Sequence, residues 1–149
     1  MTTRKWMALI SLLGLFLGAY LTLWKFGYVG ALVCNVSSCE QVQTSRWSNF
    51  LGLPVATWGL GFYVVMLALS IVGLQEGFEE SRRLSLSLLV VSGVGLLFTA
   101  WLNYLEAFVI HAWCEWCIAS ALMVLALFVL ALADWRRRSA RGRSLTLPV

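Results

Sequence analysis

Four stretches of the chain, approximately Trp6 to Trp24, Val55 to Leu74, Leu84 to Tyr104 and Cys117 to Trp135, are apolar and free of charged side chains except for Asp134 near the end of the fourth. Each is long enough to cross a hydrocarbon core of roughly 30 Å as a helix, which takes about 20 residues. In lipid every backbone polar group must be paired within the protein, so a spanning segment is a helix or part of a closed barrel. These unbroken runs lack the alternation of a barrel strand. With 60% hydrophobic and 12% charged residues the composition excludes an ordinary soluble domain. The expected fold is an all-α integral membrane protein, one domain over residues 1–149, built as a four-transmembrane-helix bundle.

Lys and Arg set the orientation, because positive charge is retained on the cytoplasmic side. Arg4 and Lys5 precede the first helix, Arg82 and Arg83 precede the third, and Arg136, Arg137, Arg138, Arg141 and Arg143 follow the fourth. The first connecting loop, 25–54, has Lys25 and Arg46, and the third, 105–116, has neither residue type. Both termini are therefore expected in the cytoplasm and both of those loops outside it. The net charge of +4 is explained by this retention signal, so the tail 136–149 is read as contacting anionic lipid headgroups and not nucleic acid. The first segment is too long for a signal-peptide core and lacks a small-residue cleavage site, so it is kept as a helix. Trp6, Trp24, Tyr104, Trp113 and Trp135 stand near helix ends, where interfacial anchoring is the default role. Glu76, Glu79 and Glu80 read as a solvated cytoplasmic turn.

All four cysteines fall in the two outer loops: Cys34 and Cys39 in the first, Cys114 and Cys117 in the third. Outside the cytoplasm such thiols form and exchange disulfides. Between the first pair and the second helix, Trp47, Phe50 and Leu51 recur at helical spacing, which predicts a short helix in the interface, able to roof the bundle. Gly52 supplies a turn, and Pro54 suits the first turn of the second helix. Cys114-Glu115-Trp116-Cys117 stands where the fourth helix begins, a place where the helix dipole and unpaired N–H groups favour a thiolate. A lone C-x-x-C fits redox and metal roles alike. Facing a second pair, it reads as a relay.

The series Cys34 to Cys39, Ser45-Arg46-Trp47, Gly52-Leu53-Pro54-Val55-Ala56-x-Trp58-Gly59 with Tyr63, and Cys114-x-x-Cys117 opening the last helix resembles the vitamin K epoxide reductase family in its bacterial form, over about Cys34 to Met123. The resemblance implies a four-helix bundle in the bacterial inner membrane around a quinone pocket open toward the C-x-x-C. It also implies that the loop pair draws electrons from a thioredoxin-fold, DsbA-like protein and passes them to ubiquinone or menaquinone. Fourteen residues follow Trp135, so the partner is expected to be a separate protein. The animal enzymes carry a Tyr four residues beyond the second cysteine of the C-x-x-C and an Asn at the start of the second helix. Here those positions are Ala121 and Val55, and a simple quinone is expected as acceptor in place of an epoxide.

Under this reading a partner thiolate attacks the Cys34–Cys39 disulfide at Cys34. Released Cys39 attacks Cys114, and Cys117 is left as a thiolate facing the pocket. Ser45, Trp47, Trp58, Phe62, Ile118 and Ala121 are the expected quinone contacts, with Asn103 and Tyr104 as further candidate donors. Gly59 and Gly61 would let a ring approach, whereas Gly93 and Gly95 serve helix packing. Two other classes fit the same cysteines: a zinc site of four thiolates, with His111 as an extra ligand, and inert disulfides in a structural membrane protein. Glu106 and His111 are most simply solvated groups of the outer loop, with proton delivery as the alternative.

Overall fold

The computed structural model describes residues 3–35, 38–78 and 80–144. Glu79 of the expected acidic turn and the last residues of the expected tail lie outside them. The order is α1 (Thr3–Lys25), α2 (Cys39–Thr44), a 3₁₀ turn (Arg46–Ser48), β1 (Asn49–Phe50), β2 (Leu53–Pro54), α3 (Val55–Val72), α4 (Arg82–Leu105), a π-helical turn (Glu106–Ile110) and α5 (Glu115–Ser144). The four long helices are each apolar and long enough to cross a membrane. The chain is an all-α integral membrane protein. Its outward surface carries large apolar side chains such as Phe16, Val65, Leu97 and Val129, a lipid-facing pattern.

α1 packs chiefly on α3, α4 on α5, and the α1–α5 and α3–α4 contacts close the ring. Lipid tails are as apolar as Leu, so close backbone approach and polar contacts hold such helices together more than hydrophobic burial does. Gly14 and Gly18, one turn apart on α1, supply the approach: the Tyr63 ring fills the space a Cβ on Gly14 would need, and the Leu60 backbone lies against Gly18. Gly93 faces Phe128 and Gly95 faces Phe62, in line with their packing role, while Gly59 and Gly61 face open space. The interior is filled by Met7 of α1, Tyr63 and Met66 of α3, Leu88 of α4, and Leu127 and Ala131 of α5. The Tyr63 hydroxyl ties α3 to α5 through Ser120 Oγ at 2.8 Å.

Two segments differ from the sequence expectation. No helix forms over Trp47 to Leu51; the short helix of this loop lies earlier, over Cys39–Thr44. The chain instead makes the 3₁₀ turn and a minimal hairpin pairing Asn49 with Pro54 and Phe50 with Leu53. Leu51 (φ 53°) and Gly52 (φ 81°) reverse it in the left-handed region. Phe50 then docks edge-on against Trp58, Phe98 and Trp101, and its carbonyl accepts the Trp58 indole N–H at 3.0 Å. Apolar spacing marked the residues that dock, but the turn chemistry decided their conformation. The second difference is that α5 continues past Trp135 through the arginines, supported by Asp134 and Arg138 paired at 3.1 Å across one turn.

At the arginine-rich end the N-terminal helix is pinned by a buried cation. Arg4 is 2% exposed and donates to the carbonyls of Gly73 (2.8 Å) and Phe78 (3.0 Å), to Ser85 Oγ (2.9 Å) and to Asp134 (3.4 Å). Ser85 donates to the same carboxylate at 2.6 Å. This knot joins α1, α4, α5 and the α3–α4 turn. Removing one member of a buried pair leaves the other charge uncompensated, which costs about 3–5 kcal/mol. Asp134→Ala is therefore expected to destabilise the bundle by about that much, and the double variant Arg4→Met/Asp134→Ala by clearly less. Unfolding titrations in mixed micelles check both.

Candidate functional site

The opposite end of the bundle gathers all four cysteines. Cys39 and Cys114 are each 0% exposed and pack together with Val42 and Ala112, and Cys34 and Cys117 lie against the same cluster. Cys34 and Cys39 are joined as a disulfide with Cα atoms 6.3 Å apart, whereas Cys114 and Cys117 are free thiols. One pair is oxidised and the other reduced, in mutual packing contact.

Backbone and side-chain hydrogen bonds fix this arrangement. The Val33 carbonyl accepts the Trp116 indole N–H at 2.8 Å, and the Asn35 N–H donates to the Glu115 carboxylate at 2.9 Å. Val33 N–H donates to the Tyr20 hydroxyl at 3.1 Å, and the Tyr20 and Trp116 rings meet at 5.6 Å. The two residues between the second pair of cysteines thus hold the strand that carries the first. α2 starts at Cys39, and Gln43, one turn on, shares its face. Gln43 is buried and its Nε2 donates to Cys117 Sγ at 3.6 Å. Lys25 at the end of α1 donates to the Gln43 carbonyl and to Ser48 Oγ, clamping the 3₁₀ turn over the bundle.

Glu106 corrects the sequence expectation of a solvated group: it is 3% exposed. α4 ends at Leu105 in a π-helical turn, a widening common at functional sites, and this turn closes with His111 in the left-handed region at φ 54°. The Glu106 carbonyl accepts the N–H groups of His111 and Ala112, and its carboxylate accepts Cys114 N–H at 3.4 Å. Cys117 and Glu106 line the same small cavity. His111 is exposed, in line with the expectation for it.

Cys114 stands just before α5, which begins at Glu115. A hydrogen bond from the Cys117 thiol, with backbone N–H groups of Cys117 and Trp116, outweighs burial and the Glu106 charge and pulls the Cys114 thiol down to about 7. The helix start therefore favours a thiolate at Cys114 in the reduced pair.

A small, partly open cavity of about 40 Å³ adjoins Cys117 and is lined by Gln43, Ser45, Trp47, Val55, Leu102 and Glu106 among others. Of the expected quinone contacts it brings together Ser45 and Trp47. Trp58 packs on Phe50, Phe62 packs into the bundle interior, Ile118 is exposed on the outer face of α5, and neither Phe62 nor Ala121 reaches the lining. Asn103 spends its amide on the Thr99 carbonyl one turn back, and Tyr104 is exposed. Gln43 and Leu102 were not anticipated, and Glu106 was expected only as a solvated group with proton delivery as the alternative. A signal for Gln43 was its place one turn after Cys39, and for Glu106 its being an acid with no basic neighbour in a loop that returns to Cys114.

The model of the vitamin K epoxide reductase family matches residues 5–132. The chain belongs to that family. Membership makes it a membrane thiol–disulfide oxidoreductase. The sulfurs of Cys34 and Cys39 also lie within 4.8 Å of a Glu115 oxygen, but bonded to each other they offer no thiolate to a metal.

The acidity of Cys114 gives a pH dependence. Its thiolate forms as pH rises through about 7, so alkylation at Cys114 is expected to switch on across that pH and fall away below it. Cys117→Ala removes the leading hydrogen bond and is expected to move the transition to higher pH. Mass-mapped alkylation between acid and alkaline buffers checks the sign.

Proposed function

We propose that this protein oxidises a separate thioredoxin-fold, DsbA-like protein outside the cytoplasm of a bacterial cell and passes the electrons to a membrane quinone, ubiquinone or menaquinone. The observation that carries this reading is the packing of an oxidised Cys34–Cys39 pair against a reduced Cys114/Cys117 pair. Cys34 is partly accessible and Cys39 fully buried, so an incoming protein thiolate meets Cys34 first. Attack there releases Cys39 inside the cluster beside Cys114. With the inner pair closed as a Cys114–Cys117 disulfide, the Cys39 thiolate attacks Cys114, the Cys114–Cys117 bond breaks and Cys117 is released; Cys34, freed from the partner, then reforms Cys34–Cys39 and leaves Cys114 and Cys117 reduced, the state seen in the structure. Reclosure of Cys114–Cys117 gives up two electrons and two protons to the acceptor.

The cavity beside Cys117 suits a planar apolar acceptor with carbonyl oxygens. Trp47, Val55, Leu102 and Leu105 supply apolar walls, and Gln43, Ser45 and Glu106 supply polar contacts. At about 40 Å³ it is closed to a ring, and its roof is the 3₁₀ turn with Trp47 and Ser48. This roof belongs to the loop and not to a spanning helix, so it is the part that yields on entry. A quinone bound there accepts the electron pair. Val55 stands in the cavity wall where the animal enzymes have a polar anchor, which supports simple quinone reduction over epoxide reduction.

Purified protein in lipid nanodiscs, given a reduced DsbA-like donor and a water-soluble quinone, is expected to consume the quinone. Cys117→Ala is expected to reduce turnover to background, and Cys34→Ala to abolish turnover with the protein donor while sparing it with a small dithiol. Loss of both activities in the Cys34 variant would contradict the order of the relay.

A further inference from the structure

Glu106 is the buried acid at the junction of the two reduced sulfurs. Its carboxylate meets Cys114 N–H at 3.4 Å, and it lines the same cavity as Cys117. A carboxylate taken out of water ordinarily gains a basic partner. Here the charged or titratable groups facing it are Cys114 and Cys117. Two cations stand by residues of that cavity: Lys25 is spent on the Gln43 carbonyl and Ser48, and Arg46 stacks on the Trp47 ring at 5.2 Å. On the α2 side the facing group is the neutral Gln43 amide, which donates to the Cys117 sulfur from the other side. The π-helical turn with its left-handed closing residue is what aims Glu106 inward, since an ordinary helix end would leave the loop to run on without this widening.

Closure of the Cys114–Cys117 disulfide needs the Cys117 proton removed, and the acid that shares its cavity is only 3% exposed. We propose that Glu106 is the catalytic base that takes the Cys117 proton as this disulfide closes. The inference rests on the redox reading above. In the step, Cys114 is already joined by a disulfide to a departing sulfur. The S–H bond of Cys117 breaks, its proton passes to a Glu106 carboxylate oxygen, and the Cys117 thiolate attacks Cys114. The Cys114–Cys117 bond forms as the other sulfur leaves as a thiolate carrying the electron pair of the old bond. No external oxidant enters this exchange. In the inward relay the same exchange runs in reverse: an incoming thiolate attacks Cys114, the Cys114–Cys117 bond breaks, and Glu106 returns the proton to the Cys117 sulfur as it leaves.

The test uses the chain in quinone-free nanodiscs with Cys34 and Cys39 both changed to Ala, reduced and then mixed with a small symmetrical disulfide. Neither partner nor quinone is present, so failure of quinone turnover elsewhere and failure here are separate results. Mass spectrometry follows two phases, an adduct at Cys114 and its loss on closure. With Glu106 present, closure is expected to vary little between about pH 6 and about pH 8, as for an internal base. Glu106→Gln is expected to leave the first phase unchanged and slow closure at least about tenfold at the acid end, with the rate now climbing up to about tenfold per pH unit. Glu106→Asp keeps the carboxyl and is expected to restore the flat profile at a reduced rate, which separates base action from folding damage. Closure in Glu106→Gln that matches the parent, equal slowing of both phases, an Asp variant that behaves like Gln, or an adduct on Cys117 in place of Cys114 would each overturn the proposal.

Discussion

The redox end depends on the docking of an irregular loop onto the start of the last helix. Two hydrogen bonds, Trp116 to the Val33 carbonyl and Asn35 to the Glu115 carboxylate, hold the strand leading to Cys34 against the segment between Cys114 and Cys117. Without them a disulfide in a long loop and a dithiol at a helix start would sample many separations, and exchange would wait on their encounter. With them, two sulfurs of different pairs sit in one buried cluster. Burial also separates the sulfurs: Cys34 and Cys117 are partly accessible, whereas Cys39 and Cys114 are fully buried between them, which is the order the proposed relay uses.

The two ends of the bundle use buried charge differently. Around Arg4 both terminal guanidinium nitrogens have carbonyl, hydroxyl or carboxylate partners, and the cluster joins the helices where small residues alone would not specify a register. Around Glu106 the neighbours are the Cys114 backbone N–H and the Cys117 side chain, the pair whose bonding changes in the proposed relay. The first arrangement is a fastening. The second leaves a carboxylate free to exchange a proton, at the cost of a helix end distorted into a π-helical turn.

Much of this was legible in the sequence. The unbroken apolar runs gave the four helices almost to their ends, since length and the absence of charge leave lipid little choice. The cysteine spacing gave the two pairs, and the order of motifs gave the family. What stayed hidden is what depends on tertiary context. Phe50 and Leu51 carried an apolar stripe, yet a left-handed Leu51-Gly52 pair made a hairpin of it. Glu106 looked like any loop acid because nothing in a sequence marks a π-helical turn. Arg4 looked like an orientation signal, and its partner Asp134 lies on a helix 130 residues away. Trp58 and Phe62 were drawn to the pocket by being aromatic, but in the fold those rings pack on protein.

The central claim is that the two cysteine pairs are close enough to exchange. A chain with Cys34→Ala and Cys117→Ala keeps one sulfur from each pair, Cys39 and Cys114, both fully buried in the same cluster. Oxidised gently in native membranes and digested for mass mapping, this variant is expected to yield a Cys39–Cys114 disulfide in most molecules. Two free thiols persisting under conditions that close Cys114–Cys117 in the unaltered chain would contradict the account.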